Sequence, residues 1–206
     1  MNKNILTFDE WAILGKDEGM ERGHRNSVEH MKKYIFKYCQ NLNYKYSFLD
    51  LGCGNGWVVR TFNEHSLCKL AHGIDGAPHM IKKARSLDPN GVYFNDNIQT
   101  WENNLRYDVV FSMETLYYFK RPERIIKNIF ENILNENGLL VIGVDHYKEN
   151  KESLDWGKKF NLDITTFSIV EWLDSFKKAG FLNIISNQVE AKKGWAGTLV
   201  ISGEKF

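Results

Sequence analysis

The sequence predicts an α/β fold, with a mostly parallel seven-stranded sheet lying between layers of helices. Three observations predict it. Short apolar runs alternate with helix-period segments along most of the 206 residues. The run from Tyr107 to Ser112 is unbroken, as a parallel strand covered on both faces requires. The run ending in Leu51 breaks into three glycines at alternate positions, Gly52, Gly54 and Gly56, ahead of Val58 and Val59, which is how a buried strand turns tightly into a helix.

The elements follow in order. Residues 1–26 read as a polar N-terminal helical extension, with a short amphipathic turn carrying Phe8, Trp11, Ile13 and Leu14 followed by the charged stretch GKDEGMERGHR. Two readings of it stand: a lid that folds over the cleft, since Trp11 and Met20 need a surface to cover, or a docked but inert terminal helix. From residue 27 to 206 the chain reads as a single domain. Val28, Met31, Ile35 and Cys39 recur at helical spacing, with Ser27 as the expected N-cap. Strands follow at about Tyr46–Leu51 and Lys69–Asp75, each leading into a helix; the second helix opens on Pro78, a first-turn position that needs no amide donor. Asn90-Gly91 turns the chain into a third strand, VYF, ending at Asn95-Asp96-Asn97. The fourth strand leads to the aromatic tail METLYYF. Pro122 begins a helix whose buried stripe is Ile125, Ile126, Ile129, Ile133 and Leu134, and Asn137-Gly138 ends the connection to the fifth strand, Gly138–Val144. Ser168 and Glu171 form a capping box for a helix that stops at Gly180. Strands at about Phe181–Asn187 and Thr198–Gly203 close the chain.

Composition excludes several classes. With 43% hydrophobic residues the chain can bury one full core. A formal charge of +1 advertises no nucleic-acid partner, and small molecules are the expected substrates. Cys39, Cys53 and Cys68 are an odd set without a CxxC pair, which suits a reducing compartment, the cytoplasm being the simplest. No stretch of 18 apolar residues or leader-like start points to a membrane or to export. No metal-ligand spacing is visible.

The glycine loop narrows the ligand. Its spacing is GxGxG, with Trp57 where a dinucleotide fingerprint wants its third glycine, and no GxxxxGK[ST] phosphate loop is present. The next strand, in LAHGID, ends in Asp75, about 20 residues on, where a carboxylate can accept both hydroxyls of a ribose. In an open parallel sheet the ligand lies beyond the carboxyl ends of the strands, so Asp50 to Gly56, Asp75, Asp96 and the segments after Ser112 and Val144 should converge. With FLDLGCGNG followed by GIDGAPHMIKKAR, the chain from about Tyr46 to its C-terminus resembles the class I methyltransferases that use S-adenosyl-L-methionine.

The resemblance implies a Rossmann-like three-layer sandwich with a C-terminal antiparallel strand, and a cofactor site built from Asp50, Gly52, Cys53, Gly54, Asn55, Gly56, Asp75, Gly76, Met80, Asp96, Asn97, Ile98 and Ser112. It implies that Asp75 holds the ribose, Asp96 the adenine amino group with the Asn97 amide on the ring, the glycine-loop backbone the carboxylate end, and Asp50 the amino group. Gly76 stands where a bulkier residue often packs on adenine, leaving Met80 or Ile98 to supply that surface.

The sulfonium is already activated, so the protein's task is alignment and exclusion of water, with a general base only where the acceptor must lose a proton. Candidates for the chemistry at the mouth are Glu114, Asp145 and His146, of which His146 titrates in the most useful range. Trp11, His24, Tyr117, Tyr118 and Tyr147 are candidates for holding the substrate. A methyltransferase acting on a small molecule is the favoured reading. A nicotinamide-dependent oxidoreductase and a catalytically silent S-adenosylmethionine-binding protein are the alternatives.

Overall fold

A computed structural model describes residues 2–102 and 104–206. Strands β1 (Tyr46–Leu51), β2 (Cys68–Asp75), β3 (Val92–Asn95), β4 (Tyr107–Met113), β5 (Leu134–Val144), β6 (Leu182–Val189) and β7 (Thr198–Glu204) form one sheet in the order β3-β2-β1-β4-β5-β7-β6. The first five run parallel, while β7 runs antiparallel to both of its neighbours, β5 and β6. The strand order reverses between β1 and β4, and this is where an open sheet leaves a crevice beyond its carboxyl ends.

Helices α2 (Asp17–Cys39), α3 (Trp57–Asn63) and α4 (Pro78–Leu87) cover one face, while α5 (Pro122–Asn128) and α7 (Ile169–Ala179) cover the other, with the one-turn α6 (Trp156–Lys159) in the connection between β5 and α7. The two-residue period of β1 feeds both layers: Phe48 packs under α2 and α3, whereas Leu49 and Leu51 join the opposite core. The capping box at α7 forms as the sequence predicts, with Ser168 and Glu171 bonded reciprocally, and Gly180 ends the helix at φ 107°. No helix among the described residues is long and apolar enough to cross a membrane.

Two stretches differ from the sequence reading. Ile125, Ile126, Ile129 and Ile133 are buried as expected, but the last turn, Ile129–Ile133, widens to a π-helix and Leu134 already pairs with Tyr107 in the sheet. Asn137 (φ 57°) and Gly138 therefore sit in a bulge within β5, and regular pairing resumes at Val109 with Leu139. Local apolar periodicity cannot separate a helix end from the start of a buried strand when no polar break lies between them.

The N-terminal extension is helical as expected, and differs only in how far its helices run and in what its polar residues do. Residues 2–26 are almost wholly helical: α1 (Lys3–Ile13) is capped by Asn2, whose side chain accepts from the Asn4 amide, and α2 runs unbroken across positions 26 and 27. Ser27 is thus not a cap; it is buried within α2, its hydroxyl 2.6 Å from that of Thr198. The polar residues that read as solvated are anchors. Asn4 donates to the carbonyls of Tyr118 and Asp163 and accepts from the Asp163 amide. Asp9 accepts from the backbone amide of His79 and lies 2.8 Å from its ring nitrogen. Asp17, 3% exposed, accepts from the Asn55 side chain and pairs with Lys83 at 2.8 Å, joining the start of α2 to the glycine loop and α4.

Candidate active site

The converging strand ends enclose a cavity of about 370 Å³, within the usual range for small-ligand pockets. Its floor is the turn after β1, with Gly52, Cys53, Gly54 and Asn55; its sides carry Asp75, Gly76, Met80, Asn97 and Ile98. The roof is α1 and the start of α2, through Ile5, Phe8, Trp11, Met20, Glu21 and His24.

The loop is held in place by the sheet. The amides of Gly52 and Cys53 both donate to the Ile74 carbonyl, at 2.8 and 3.0 Å, so the chain must reverse within one turn and adopts positive φ at Gly52, Gly54 and Gly56. Asp75 closes the same loop from the other side, accepting from the Gly54 amide at 3.0 Å and the Ala77 amide at 2.8 Å. Burial raises the pKa of Asp75, those two amides oppose the shift, and Asp9 on α1 adds to it. Both oxygens keep a further lone pair for a ligand. Asp50 is more exposed to electrostatic cost: it is 2% accessible, lines the cavity, and is held well above the ordinary carboxylate range by burial and then by Asp75, with no donor or cation opposing the shift. A buried carboxylate with that environment is a socket for a cationic group.

These features fit S-adenosyl-L-methionine. A glycine turn held at positive φ, a carboxylate on the next strand with lone pairs free for a diol and an uncompensated carboxylate between them suit its amino-acid end, its ribose and its ammonium group. The adenine end departs from expectation in an informative way. A Cβ built on Gly76 would lie 2.7 Å from Ile5 Cδ1, so the apolar surface missing from position 76 is supplied by α1. Met80 and Ile98 also line the wall. Asp96 does not: it is exposed, and its carboxylate accepts from the Asn97 amide, leaving Asn97 and Ile98 as the lining residues of that loop. Gly56 lies behind the wall as the residue preceding α3, where a Cβ would strike the Tyr93 ring at 2.5 Å. Ser112 is buried with its hydroxyl donated to the Leu51 carbonyl, and so ties β4 to β1 outside the cavity lining.

At the other end, the residues predicted to do chemistry divide. Glu114, just past β4 at φ 56°, lines the cavity; its carboxylate accepts from the Tyr117 hydroxyl and from the Asp145 amide, both at 2.5 Å. Burial and the nearby Asp145 hold its pKa well above normal, against those two donors. Asp145 lies just behind, its Oδ1 accepting from Thr198 and its Oδ2 3.6 Å from His24 Nε2. Burial raises its pKa while His24 and Thr198 pull it down. His24 is also 3.9 Å from Glu114, and burial lowers its pKa while Asp145 pulls it up. The donor atoms of His24, Glu114 and Asp145 all lie within 4.8 Å of one another, a grouping that no spacing in the sequence shows.

His146 is not in the cavity wall. Successive side chains after a strand point to opposite sides. Where Asp145 turns toward His24, the His146 ring is 2% exposed, with Nδ1 2.9 Å from the Ser153 carbonyl and Nε2 2.7 Å from the Thr166 hydroxyl. Both ring nitrogens are engaged, so the residue serves the loop beneath the site. Replacing it, as His146→Ala, should cost about 1–3 kcal/mol of stability through the lost bonds and leave the pH dependence of turnover unaltered; denaturant titration and a pH–rate profile check both halves. Tyr147 is likewise fully buried, its hydroxyl donated to the Gly197 carbonyl, and does not line the cavity.

Trp11, Tyr117 and Tyr118 do line it, within a run of ring contacts: Tyr118 meets Phe8, Phe8 meets Trp11, and Trp11 meets Phe160. Ile5, Asp17, Glu21, Trp156, Phe160 and Leu162 also line the wall without having been singled out from the sequence. The one available signal for α1 was Asn2 ahead of the Phe8 and Trp11 stripe, a cap followed by an apolar face.

A methyltransferase domain model matches residues 22–185. Trans-aconitate 2-methyltransferase of Escherichia coli (strain 55989 / EAEC) is 28% identical over 93 residues, which is 45% of this chain and 36% of that protein, so the chain spans little more than a third of the length of such relatives. Among solved structures, the putative methyltransferase complexed with the Trm112 activator in Haloferax volcanii superposes with a TM-score of 0.79 at 24% identity, covering 96% of each chain. The N-methyltransferase NodS from Bradyrhizobium japonicum WM9, solved with S-adenosyl-L-homocysteine, superposes at 0.64 with 16% identity and 86% of each chain covered. A matched domain over most of the chain, on a sheet of this order with its glycine turn and two strand-end carboxylates in place, puts the protein in the family of S-adenosyl-L-methionine-dependent methyltransferases.

Proposed function

We propose that this methyltransferase acts on a small-molecule acceptor, which enters beside the cofactor under the roof formed by α1 and α2. The observation that carries the reading is the roof: Phe8, Trp11, Met20 and His24 stand across the cavity from the glycine loop, and α1 is tied down at Asn4 and Asp9, so the space suits a compact molecule more than a polymer. The formal charge of +1 supports the same reading by offering no broad basic surface to a nucleic acid. The free thiols of Cys39, Cys53 and Cys68 support a cytoplasmic setting.

When bound, the cofactor supplies a methyl group already activated on a sulfonium. In this reading Asp75 holds the ribose, Asp50 the ammonium, the Gly52–Asn55 backbone the carboxylate end, and Ile5, Met80 and Ile98 the adenine faces. Closure by α1 excludes water, and Glu114, His24 and the paired tyrosines orient the acceptor. Thermal-shift titration tests the first part: S-adenosyl-L-methionine and S-adenosyl-L-homocysteine should stabilise the protein and NAD(H) should not. Incubation of a small-metabolite extract with methyl-labelled cofactor tests the second. A labelled low-mass product is expected; cofactor binding with label appearing only in protein or RNA would reject the small-molecule reading.

A further inference from the structure

The charge of the cavity wall is lopsided. Its carboxylates and imidazole are Asp17, Glu21, Asp50, Asp75, Glu114 and His24, and among the described residues no lysine or arginine lines it. Asp17 is neutralised outside the cavity by Lys83, and Glu21 accepts from Arg25. Glu114 has no such counter-ion: its bonds come from a phenol and an amide, and the nearest cationic candidate is His24 at 3.9 Å, shared with Asp145. A di- or tricarboxylate acceptor would enter this wall against like charge, with nothing to pair its own. A cation would enter it beside the Glu114 carboxyl, whose ionised form the cation's charge would favour against burial, with the rings of Trp11, Tyr118 and Phe160 also in the wall.

Resting on the small-molecule reading above, we propose that the acceptor is an amine, bound as its ammonium against the Glu114 carboxylate, with His24 the group that takes its proton and Asp145 the positioning residue behind His24. Nitrogen is a nucleophile only after it gives up that proton, so a base must stand within reach. His24 is the imidazole in the wall, its Nε2 3.9 Å from Glu114 and 3.6 Å from Asp145, within reach of an amine held at Glu114. The groups against it are Asp145 beyond β5 and Glu114 beyond β4, the latter bonded to Tyr117 and through it to Tyr118, and Glu21 on its own helix lines the same cavity. The proton moves from the ammonium to the imidazole, leaving a neutral amine and an imidazolium paired with Asp145; the nitrogen lone pair would then form the N–C bond as the methyl–sulfur bond breaks, giving the N-methylammonium and S-adenosyl-L-homocysteine. Glu114 and Asp145 are also disposed as cation ligands with His24, so a divalent metal is the competing occupant.

The test loads the protein with S-adenosyl-L-homocysteine and measures, by calorimetry, binding of two matched sets: phenethylamine, 2-phenylethanol and phenylacetate, and 1,5-diaminopentane against glutarate. At least one amine should bind ten-fold or more tightly than its own carboxylate. Glu114→Gln should weaken that amine at least ten-fold while leaving the affinity for S-adenosyl-L-homocysteine within about threefold. With methyl-labelled cofactor the product should be the N-methyl amine, and the rise in rate with pH should flatten in His24→Gln and move in Asp145→Asn. Carboxylates binding as well as amines, no amine binding at all, or amine affinity indifferent to Glu114→Gln would each overturn the proposal using the wild-type fold or a variant shown to keep its cofactor. Stoichiometric Mn²⁺ or Zn²⁺ binding that is lost in His24→Gln and required for the acceptor would overturn it in favour of the metal. Failure of S-adenosyl-L-homocysteine itself to bind would strike the methyl-transfer reading, a separable result.

Discussion

Asp50→Asn should make the unliganded protein more stable while removing most of its affinity for S-adenosyl-L-homocysteine. In the free protein the Asp50 carboxylate is buried beside Asp75 with nothing to offset its charge, and its pKa is raised well above normal for that reason. An acid whose folded pKa lies above its unfolded value favours folding fully only at pH below the unfolded value, and that contribution is lost as pH climbs through the folded one. The variant lacks this loss. It should therefore match the wild type near pH 4 and exceed it increasingly toward pH 8, by on the order of 0.5–2 kcal/mol, the common yield when a functional site is relieved of its strain. For a chain of this length that is roughly 2–4 °C in Tm per kcal/mol.

Binding should move the other way. A carboxylate meeting a ligand ammonium in a buried site makes a charge-assisted bond worth about 1.5–3 kcal/mol, so the neutral amide should cost roughly 10- to 100-fold in affinity. Melting curves across pH with and without S-adenosyl-L-homocysteine measure both effects together. A variant that is less stable at pH 8, or one that binds the ligand undiminished, would show that Asp50 is a structural acid and not the ammonium socket.

What could be read from the sequence, and what could not, divides along the range of the interactions. The place of Asp50, Gly52, Gly54 and Asp75 in the cavity wall was legible because each stands at or just past a strand end, and the alternation of strand and helix fixes which ends face the crevice. His24 and His146 show the limit. Each is a histidine in a polar stretch, and proximity to a strand end favoured His146; the structure turns that ring into the loop at Ser153 and brings His24 from the N-terminal helix against Asp145 and Glu114. The pairing depends on where α2 docks, which no local pattern near position 24 encodes. Gly76 and Ile5 make the same point about surfaces: the glycine could be read as a missing side chain, but its replacement comes from a helix some seventy residues earlier in the chain, visible only once the two are in contact.

Gly52→Ala should be the most damaging single substitution in the cofactor loop, and for reasons of packing that precede any ligand. The residue sits at φ 81°, a region in which a side chain costs about 1–2 kcal/mol. An added Cβ would also lie 2.0 Å from Thr115 Oγ1, 2.5 Å from its Cγ2 and 2.7 Å from its Cβ. Thr115 cannot swing aside freely, because its hydroxyl donates to the Met113 carbonyl, and the loop cannot back away, because the Gly52 and Cys53 amides are both bonded to Ile74. Overpacking of that kind adds about 1–3 kcal/mol, for a total of about 2–5 kcal/mol. Gly54→Ala is the contrasting case two residues on. It shares the positive φ, at 53°, but a Cβ there meets nothing closer than Met80 Sδ at 4.0 Å, so its cost should be only the backbone part, about 1–2 kcal/mol. Its methyl would instead stand in the cavity wall and weaken S-adenosyl-L-homocysteine binding. Urea unfolding of the two variants beside the wild type separates the effects, with Gly52→Ala losing stability by at least 1 kcal/mol more than Gly54→Ala. Equal losses would mean that Thr115 yields, and that the loop is held by its backbone alone.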